Sequence, residues 1–182
     1  MRWLIEKVAL FLCWYSEKRS SVYLIKGGPT NSTVYLVRFI PFKSKLCSLY
    51  IHRFMRSDAD DPHDHPWNFW TYVISGGYTE VCYDRMKPEV EAGTFTKYWT
   101  KTIKRREVGT LARRHAHDIH QVVVDRPYEM NELKLAPFTF CLIGPRFREW
   151  GFWTLADNGG TFTDWRKYLG IRADDPKIKG SE

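Results

Sequence analysis

Short runs of alternating apolar and polar residues dominate the chain after residue 20. The predicted strands are SVYLI, TVYLVRFI, KLCSLYIHRFM, FWTYVIS, YTEVCYD, TFTKYWTKTI, TLARR, IHQVVV, FTFCLIG and FREWGFWTL. Alternation of period two places apolar side chains on one face of a strand. The turn signals between these runs are spaced as in β-sandwiches and barrels. FWTYVIS and YTEVCYD meet at Gly76 and Gly77, which predicts a hairpin with a tight glycine turn.

The two ends of the chain lack this alternation. Near the N-terminus an apolar face recurs at helical spacing: Leu4, Val8, Phe11, Leu12 and Tyr15. It predicts an amphipathic helix over residues 1–20 that packs on the domain through this face, with a membrane-surface helix as the alternative. TDWRKYLG predicts a short C-terminal helix, capped by Thr163 and ended by Gly170. We therefore expect one domain over 21–172 and a flexible tail over 173–182.

The amino-acid composition indicates which kind of partner the chain binds. The chain has 182 residues, 28 Lys and Arg against 21 acids, and a net charge of +7. This excess favours an anionic partner, either a small substrate or nucleic acid, although a merely basic surface gives the same count. The four scattered cysteines indicate buried thiols in a reducing compartment, the cytoplasm. The apolar run from Val8 to Tyr15 is too short to span a bilayer, and no membrane partner is expected.

Five of the six histidines fall into two short clusters. His63 and His65 share PHDHP, and RRHAHDIHQ contains His115, His117 and His120. Residues i and i+2 of an extended segment face the same side, so His63 and His65 can direct two imidazoles at one point. Neutral imidazole suits Zn, Fe, Cu and Ni. The clustering therefore predicts a metal site.

These spacings resemble the two motifs of the cupins, which are double-stranded β-helix (jelly-roll) proteins. His63-Asp64-His65 matches the paired histidines, Gly76 and Gly77 the glycine turn that closes the first motif, Gly109 the opening of the second, and His120 its metal histidine. The match covers roughly residues 45–145. The stretches HDHPW, GGYTE and IGPRFREWGFW further resemble small cupin-like proteins of phage and bacterial genomes. The resemblance implies an all-β jelly roll, and cupins are often homodimers.

The chain departs from the motif at the position of the usual glutamate ligand, which holds Phe69 or Trp70. The resemblance thus implies a three-histidine site of His63, His65 and His120. Thiol dioxygenases are cupins that hold Fe(II) in this way, and three histidines also suit Zn²⁺ with a bound water. We expect a divalent metal, with Fe(II) favoured over Zn, Mn or Ni. His117, Asp118 and Glu80 are further ligand candidates.

Other residues are predicted around this site. His52 and His117 are candidate proton carriers, and Asp61, Asp64 and Asp118 could orient the ligand rings. Arg146 and Arg148 alternate along GPRFREWGFW and could grip a carboxylate or phosphate, or be solvated while Phe147 packs inside. Tyr72 and Trp70 share a strand face and either line the pocket or belong to the core.

The sequence is consistent with three functions. The favoured one is an Fe(II)-dependent oxygenase of a small anionic substrate. An isomerase or epimerase of a sugar phosphate or nucleotide sugar is the first alternative. The second is a non-enzymatic binding protein that uses the basic segment 101–114, with Tyr98 and Trp99 beside it, to bind single-stranded nucleic acid. If the gene is phage-encoded, the host cytoplasm is the expected location.

Overall fold

The computed structural model describes residues 2–26, 33–58, 61–85, 90–91, 94–95, 99–156 and 159–170. Among these residues a long helix, α1 (Arg2–Lys18), precedes thirteen strands, and a short helix, α2 (Trp165–Tyr168), follows them. The strands are β1 (Val22–Lys26), β2 (Val34–Lys43), β3 (Ser48–Phe54), β4 (Phe69–Ser75), β5 (Tyr78–Arg85), β6 (Val90–Glu91), β7 (Thr94–Phe95), β8 (Trp99–Arg106), β9 (Leu111–Arg114), β10 (Ile119–Val123), β11 (Phe138–Ile143), β12 (Gly151–Ala156) and β13 (Gly159–Asp164). A 3₁₀ turn, Met130–Glu132, lies before β11. No helix among the described residues is long and apolar enough to cross a membrane.

Two antiparallel layers enclose the interior. One sheet has six strands in the order β1-β2-β3-β11-β4-β9, and the other has the order β10-β5-β8. The β12–β13 hairpin joins the second layer through His63, which bridges His120 on one side and Phe152 on the other. The segment that carries the paired histidines is therefore held between two strands rather than left as a free loop.

The glycine turn connects the two layers. β4 pairs with β11 and β9, whereas β5 pairs with β10 and β8, so the predicted β4–β5 hairpin is wrong. The chain changes sheet at Gly76 and Gly77, whose φ angles are +74° and +148°. A glycine pair serves this crossing because it adopts positive φ without a Cβ clash.

Alanine at Gly76 is expected to lower the free energy of unfolding by about 1–3 kcal/mol. A Cβ there would lie 2.9 Å from the Pro137 Cα, in addition to the strain of its positive φ. Gly109→Ala is the matched control, since Gly109 has φ +90° but no atom within 4 Å of the position that a Cβ would take. Urea unfolding of both variants checks this, and equal losses would contradict the proposed clash with Pro137.

Helix α1 covers the outer face of the six-stranded sheet, but through a different side than predicted. Its buried residues are Ala9, Cys13 and Ser16, with Ile5 and Leu12 partly buried beside them. The predicted contact residues Leu4, Val8 and Phe11 are instead exposed. Small side chains let the helix approach the sheet closely, and its largest apolar side chains face outward.

The C-terminal region also differs from the prediction. Residues 145–150 form no strand, and β12 begins only at Gly151. Strand β13 follows in a stretch for which no strand was predicted. The short helix exists as α2, but Asp164 rather than Thr163 caps it, by accepting a hydrogen bond from the Arg166 amide. The predicted tail, residues 173–182, lies outside the described residues.

Candidate metal centre

Three histidines converge inside the barrel. One ring nitrogen from each of His63, His65 and His120 lies within 4.8 Å of the others, and among the described residues no Cys, Asp or Glu joins this group. His65 Nε2 and His120 Nε2 are 2.8 Å apart. The backbones of His63 and His120 exchange two hydrogen bonds of 3.0 Å, which places their rings side by side. The structure thus brings together the three residues predicted as ligands.

Phe69 lies next to His65, at the position where the motif usually has its glutamate ligand. Its ring packs edge-on against the His65 ring at 4.7 Å between centroids. An aromatic carbon surface here can neither bind a metal nor admit a fourth side-chain ligand from β4.

Burial makes two of the three histidines suitable as ligands at neutral pH. Loss of solvent holds the pKa of His65 and of His120 well below the usual 6.5, and the neighbouring histidines lower both further. Both rings are therefore neutral near pH 7 and offer a lone pair. This donor set fits a divalent transition metal.

Two buried carboxylates orient the ligand rings from behind. Asp58 Oδ2 lies 3.0 Å from His63 Nδ1, and Glu80 Oε1 lies 2.6 Å from His120 Nδ1. The hydrogen bond with Glu80 fixes the tautomer of His120 and leaves its Nε2 for the metal. Asp58 lies close to His63 Nδ1 without the geometry of a hydrogen bond. The sequence offered Glu80 as a possible metal ligand. It instead contacts Nδ1 of His120, the ring nitrogen that points away from the metal site.

Glu80 is held by two arginines. Arg106 Nε donates to its Oε2 at 2.7 Å, and Arg114 donates to both of its oxygens through Nε and Nη2. Glu80 is 2% exposed. Its position is therefore determined by paired charges from β8 and β9, and His120 takes its orientation from it.

Asp64 fixes the backbone of the paired histidines. The Gly151 amide donates to its Oδ1 at 2.9 Å, and the Arg148 Nη1 lies 3.0 Å from its Oδ2. Arg148 also donates to the carbonyl oxygens of His65 and Ala116. Asp64 therefore locks the histidine segment to β12 rather than touching a ligand ring, as was predicted for it.

Metal-free protein is expected to lose stability as the pH falls below about 6.5. Burial lowers the pKa of His52, His65 and His120 well below 6.5. Below pH 6.5 these histidines bind protons in the unfolded chain but remain neutral in the folded chain. Their contribution to the free energy of unfolding is therefore fully present above pH 6.5 and declines below it. Urea unfolding of chelated protein near pH 7.5 and near pH 5.5 measures this. Unchanged stability would contradict the neutral, buried state of these rings.

A cavity of about 100 Å³ adjoins the three histidines. Inward-facing residues of both sheets line it, among them Phe54, Phe69, Thr71, Val122 and Ile143, together with Trp67 from the segment before β4. Since one water needs about 10–15 Å³ of such volume, the space suits a substrate of fewer than about ten non-hydrogen atoms.

One arginine in this cavity has no acidic partner among the described residues. Arg38 lines the wall, and its Nε donates to His52 Nε2 at 3.1 Å. Its guanidinium lies 5.0 Å from the Tyr50 ring centroid, and no carboxylate of the described chain pairs with it. His52 Nδ1 in turn lies 3.3 Å from the Cys141 sulfur. A half-buried cation without a counter-charge is costly unless an anion binds beside it.

Solved structures of cupins share this architecture. The cupin-2 domain protein Rru_A2000 from Rhodospirillum rubrum matches with a TM-score of 0.50 at 11% identity, over 75% of this chain and 78% of its own. A cupin 2 conserved barrel domain protein from Rhodopseudomonas palustris matches with 0.48 at 13%, over 75% and 80%. KdgF from Halomonas sp. matches with 0.41 at 19%, over 62% and 81%.

The chain has the cupin fold. This confirms the predicted all-β jelly roll with a helix at each end. No family model matches the sequence, and no curated protein matches it. The comparisons therefore establish the fold and leave the reaction and a phage origin as predictions.

Two aromatic residues predicted for the pocket face the other way. Trp70 and Tyr72 share a face of β4, but it is the outer one: Trp70 is 44% exposed beside Arg113, and Tyr72 packs on the core beneath α1. Their neighbours Phe69 and Thr71 line the cavity instead. The correction is a shift of one residue, which reverses the face of a strand.

The predicted arginine clamp does not reach the cavity either. Arg146 is exposed and pairs with Glu149 at 2.8 Å, and Arg148 is occupied with Asp64. Phe147 is 57% exposed, so the alternative in which it packs inside is wrong as well. Because residues 145–150 form no strand, alternation along them does not divide their side chains between an inner and an outer face.

The remaining polar candidates have structural positions. His117 is exposed on the turn before β10 and does not line the cavity. Asp118 closes that turn by accepting from the His115 amide at 2.9 Å, and Asp61 accepts from Thr154 Oγ1 at 2.8 Å. His52 faces the cavity with both ring nitrogens engaged, and burial beside Arg38 holds its pKa well below 6.5. The described part of the cupin barrel thus presents no evident general base.

The basic segment 101–114 is partly neutralised. Arg105 pairs with Asp125, and Arg106 and Arg114 pair with Glu80. Lys101, Lys104 and Arg113 have no ion pair among the described residues. Trp99 packs edge-on against Trp153 at 5.9 Å, and Tyr98 lies outside the described residues. Nucleic-acid binding through this segment stays a prediction.

Sequence reasoning missed Arg38 and Asp58. Arg38 carried a signal, because it alternates with Leu36 and Ile40 along β2 and so shares their inward face. A charged residue on an otherwise apolar face indicates a functional site or a buried pair. Asp58 carried none, since only the fold brings its loop beside His63.

Proposed function

We propose that the protein is a metal-dependent enzyme that holds Fe(II) through His63, His65 and His120 and oxygenates a small anionic substrate in the barrel cavity. The observation that carries this is the convergence of three ring nitrogens within 4.8 Å, with no carboxylate of the described residues among them. Three neutral ligands preserve the metal's positive charge and leave positions open to other ligands. Bound Fe(II) would supply activation of O₂ at these positions.

The residues of the cavity support a small anion as substrate. Arg38 offers guanidinium hydrogens on the same wall as the histidines, with its Nε held by His52. Arginine binds carboxylate or phosphate through paired hydrogen bonds. Apolar walls from Phe54, Phe69 and Val122 would enclose the rest of the molecule and exclude water.

The tyrosines of the cavity act as neutral hydroxyls in this proposal. Burial raises the pKa of Tyr78 to about 12 and that of Tyr35 well above 10. Burial likewise raises the pKa of the Cys141 thiol to about 12, which keeps it protonated. These groups can orient a substrate by hydrogen bonding, and none supplies a competing negative charge at neutral pH.

Metal reconstitution tests the proposed reaction. Chelated protein is loaded anaerobically with Fe(II), Zn²⁺, Mn²⁺ or Ni²⁺, and O₂ consumption is followed with small thiols, carboxylates and phosphonates. We expect about one metal per chain, and O₂ uptake only with Fe(II) and an anionic substrate. Protein that retains zinc alone and shows no O₂ uptake with Fe(II) would refute the oxygenase.

Arg38→Met is expected to raise the KM for an anionic substrate about 10- to 100-fold, because a hydrogen bond to a charged group contributes about 1.5–3 kcal/mol. Metal content should not change, since Arg38 contacts no metal-binding histidine. Arg113→Met is the control, because Arg113 lies on the outer face beside Trp70. An unchanged KM in Arg38→Met, with metal retained, would place the substrate anion elsewhere.

A further inference from the structure

The outward face of α1 is an apolar surface that no described residue covers. Its large side chains are strongly exposed: Trp3 69%, Leu4 57%, Val8 46%, Leu10 39%, Phe11 58% and Trp14 51%. An aromatic side chain offers about 150–250 Å², so the three aromatic residues alone expose on the order of 350 Å². Monomers seldom carry an exposed apolar patch larger than a few hundred Å².

A second apolar stripe runs beside the helix on the same outer face of the six-stranded sheet. Cross-strand pairing aligns Phe42 with Leu49, Leu49 with Leu142, and Leu142 with Trp70. Phe42 and Leu142 are each 52% exposed. The neighbouring row, from Phe39 to Tyr72, lies beneath α1. The stripe lies at the level of the sheet, below the outward face of α1, and adds to the apolar surface that this side of the molecule exposes.

We propose that a second copy of this chain occupies this surface, with the two α1 helices antiparallel about a two-fold axis between residues 10 and 11. A two-fold interface requires that residue i meets residue j while j meets i. In this register Lys7 faces Trp14 of the second copy, Trp3 faces Lys18, and Leu10 faces Phe11. Both lysines of the face then meet an aromatic ring, and Glu17 lies at the edge of the interface, opposite Leu4.

Charge placement distinguishes this occupant from a lipid surface. At 100° per residue, Lys7 and Lys18 lie in the middle of the exposed face, between Trp14 and Phe11. In an interfacial membrane helix the lysines lie on the polar side and the apolar side is uninterrupted. Lysines central to an aromatic face suit cation–π contacts, and Lys7 Nζ already lies 5.7 Å from the centroid of Trp3 in its own helix.

Sedimentation equilibrium of the full chain tests the proposal. Wild type is expected to dimerise in the micromolar range, and Phe11→Glu or Trp14→Lys to raise the dissociation constant at least tenfold. Both side chains are exposed, so the monomer fold should survive, which circular dichroism checks. The double variant Lys7→Trp, Trp14→Lys keeps each cation opposite an aromatic ring and should restore dimerisation. Ile103→Glu, 65% exposed on β8 of the other sheet, is the control.

Three results would overturn the proposal. The first is a chain that stays monomeric throughout the micromolar range. The second is a dimer that Phe11→Glu leaves intact, because its interface then lies elsewhere. The third is a monomer that floats with vesicles containing phosphatidylserine and loses this binding in Phe11→Glu, which assigns the face to lipid. None of these measurements depends on the metal centre.

Discussion

Alanine in place of His120 is expected to leave the chain folded but unable to retain a metal. The metal content should fall from about one per chain to a trace, and the affinity by more than the 10- to 100-fold typical of losing a mere supporting contact. His120 is the one ligand of the three that comes from β10, whereas His63 and His65 come from the segment before β4. Two adjacent histidines alone make a weak and incomplete site.

His117→Ala is the matched control for this experiment. It removes an imidazole three residues away that is exposed and outside the cavity. Elemental analysis after reconstitution gives the metal content, and far-ultraviolet circular dichroism with a thermal melt shows whether each variant is folded. A folded His120→Ala that still holds one metal per chain, or a His117→Ala that loses it, would contradict the assigned ligands.

Alternation predicted most strands but not which of their faces would look inward. On β4 the sequence FWTYVIS places aromatic residues on both faces, and both faces pack against apolar groups: Phe69 lies towards the opposite sheet and Tyr72 beneath α1. Local hydrophobicity does not distinguish two buried faces. The Gly76–Gly77 turn has the same difficulty, because a hairpin and a crossing between sheets both require glycine.

The face of α1 was mispredicted for a related reason. Apolar residues occur on nearly every side of the helix, with charged residues between them, so its spacing allows several contact faces. The sheet selects the side with Ala9, Cys13 and Ser16, because small residues permit close packing. Leu4, Val8 and Phe11 of the predicted face are left outside, whereas Leu12 packs partly against the core.

The metal site was more predictable than the residues that support it. His63, His65 and His120 follow a spacing in the sequence and are readable without a structure. Glu80 supports His120 only because β5 pairs with β10, and it meets Arg106 and Arg114 only because β8 and β9 lie nearby. Such long-range pairings leave no local pattern.

Replacement of Glu80 is expected to cost more stability than any other single change of an acid in the described region. Glu80→Ala leaves Arg106 and Arg114 without their shared carboxylate, with side chains only 13% and 10% exposed. Breaking a buried ion pair from one side costs about 3–5 kcal/mol, because the remaining charge is uncompensated. Urea unfolding measures this loss. Glu107→Ala is the control, since that carboxylate is 71% exposed and pairs only at the surface.

Glu80→Gln separates the two roles of this carboxylate. Glutamine keeps the shape and one acceptor oxygen, so part of the stability should return, but it cannot accept from His120 and both arginines as a charged group does. We therefore expect a folded protein whose metal affinity is about 10- to 100-fold lower, the usual effect of losing a group that orients a ligand. If Glu80→Gln binds metal as tightly as wild type, Glu80 serves only to neutralise the arginines. If it loses affinity while remaining folded, the charge network of β5, β8 and β9 is part of the metal site.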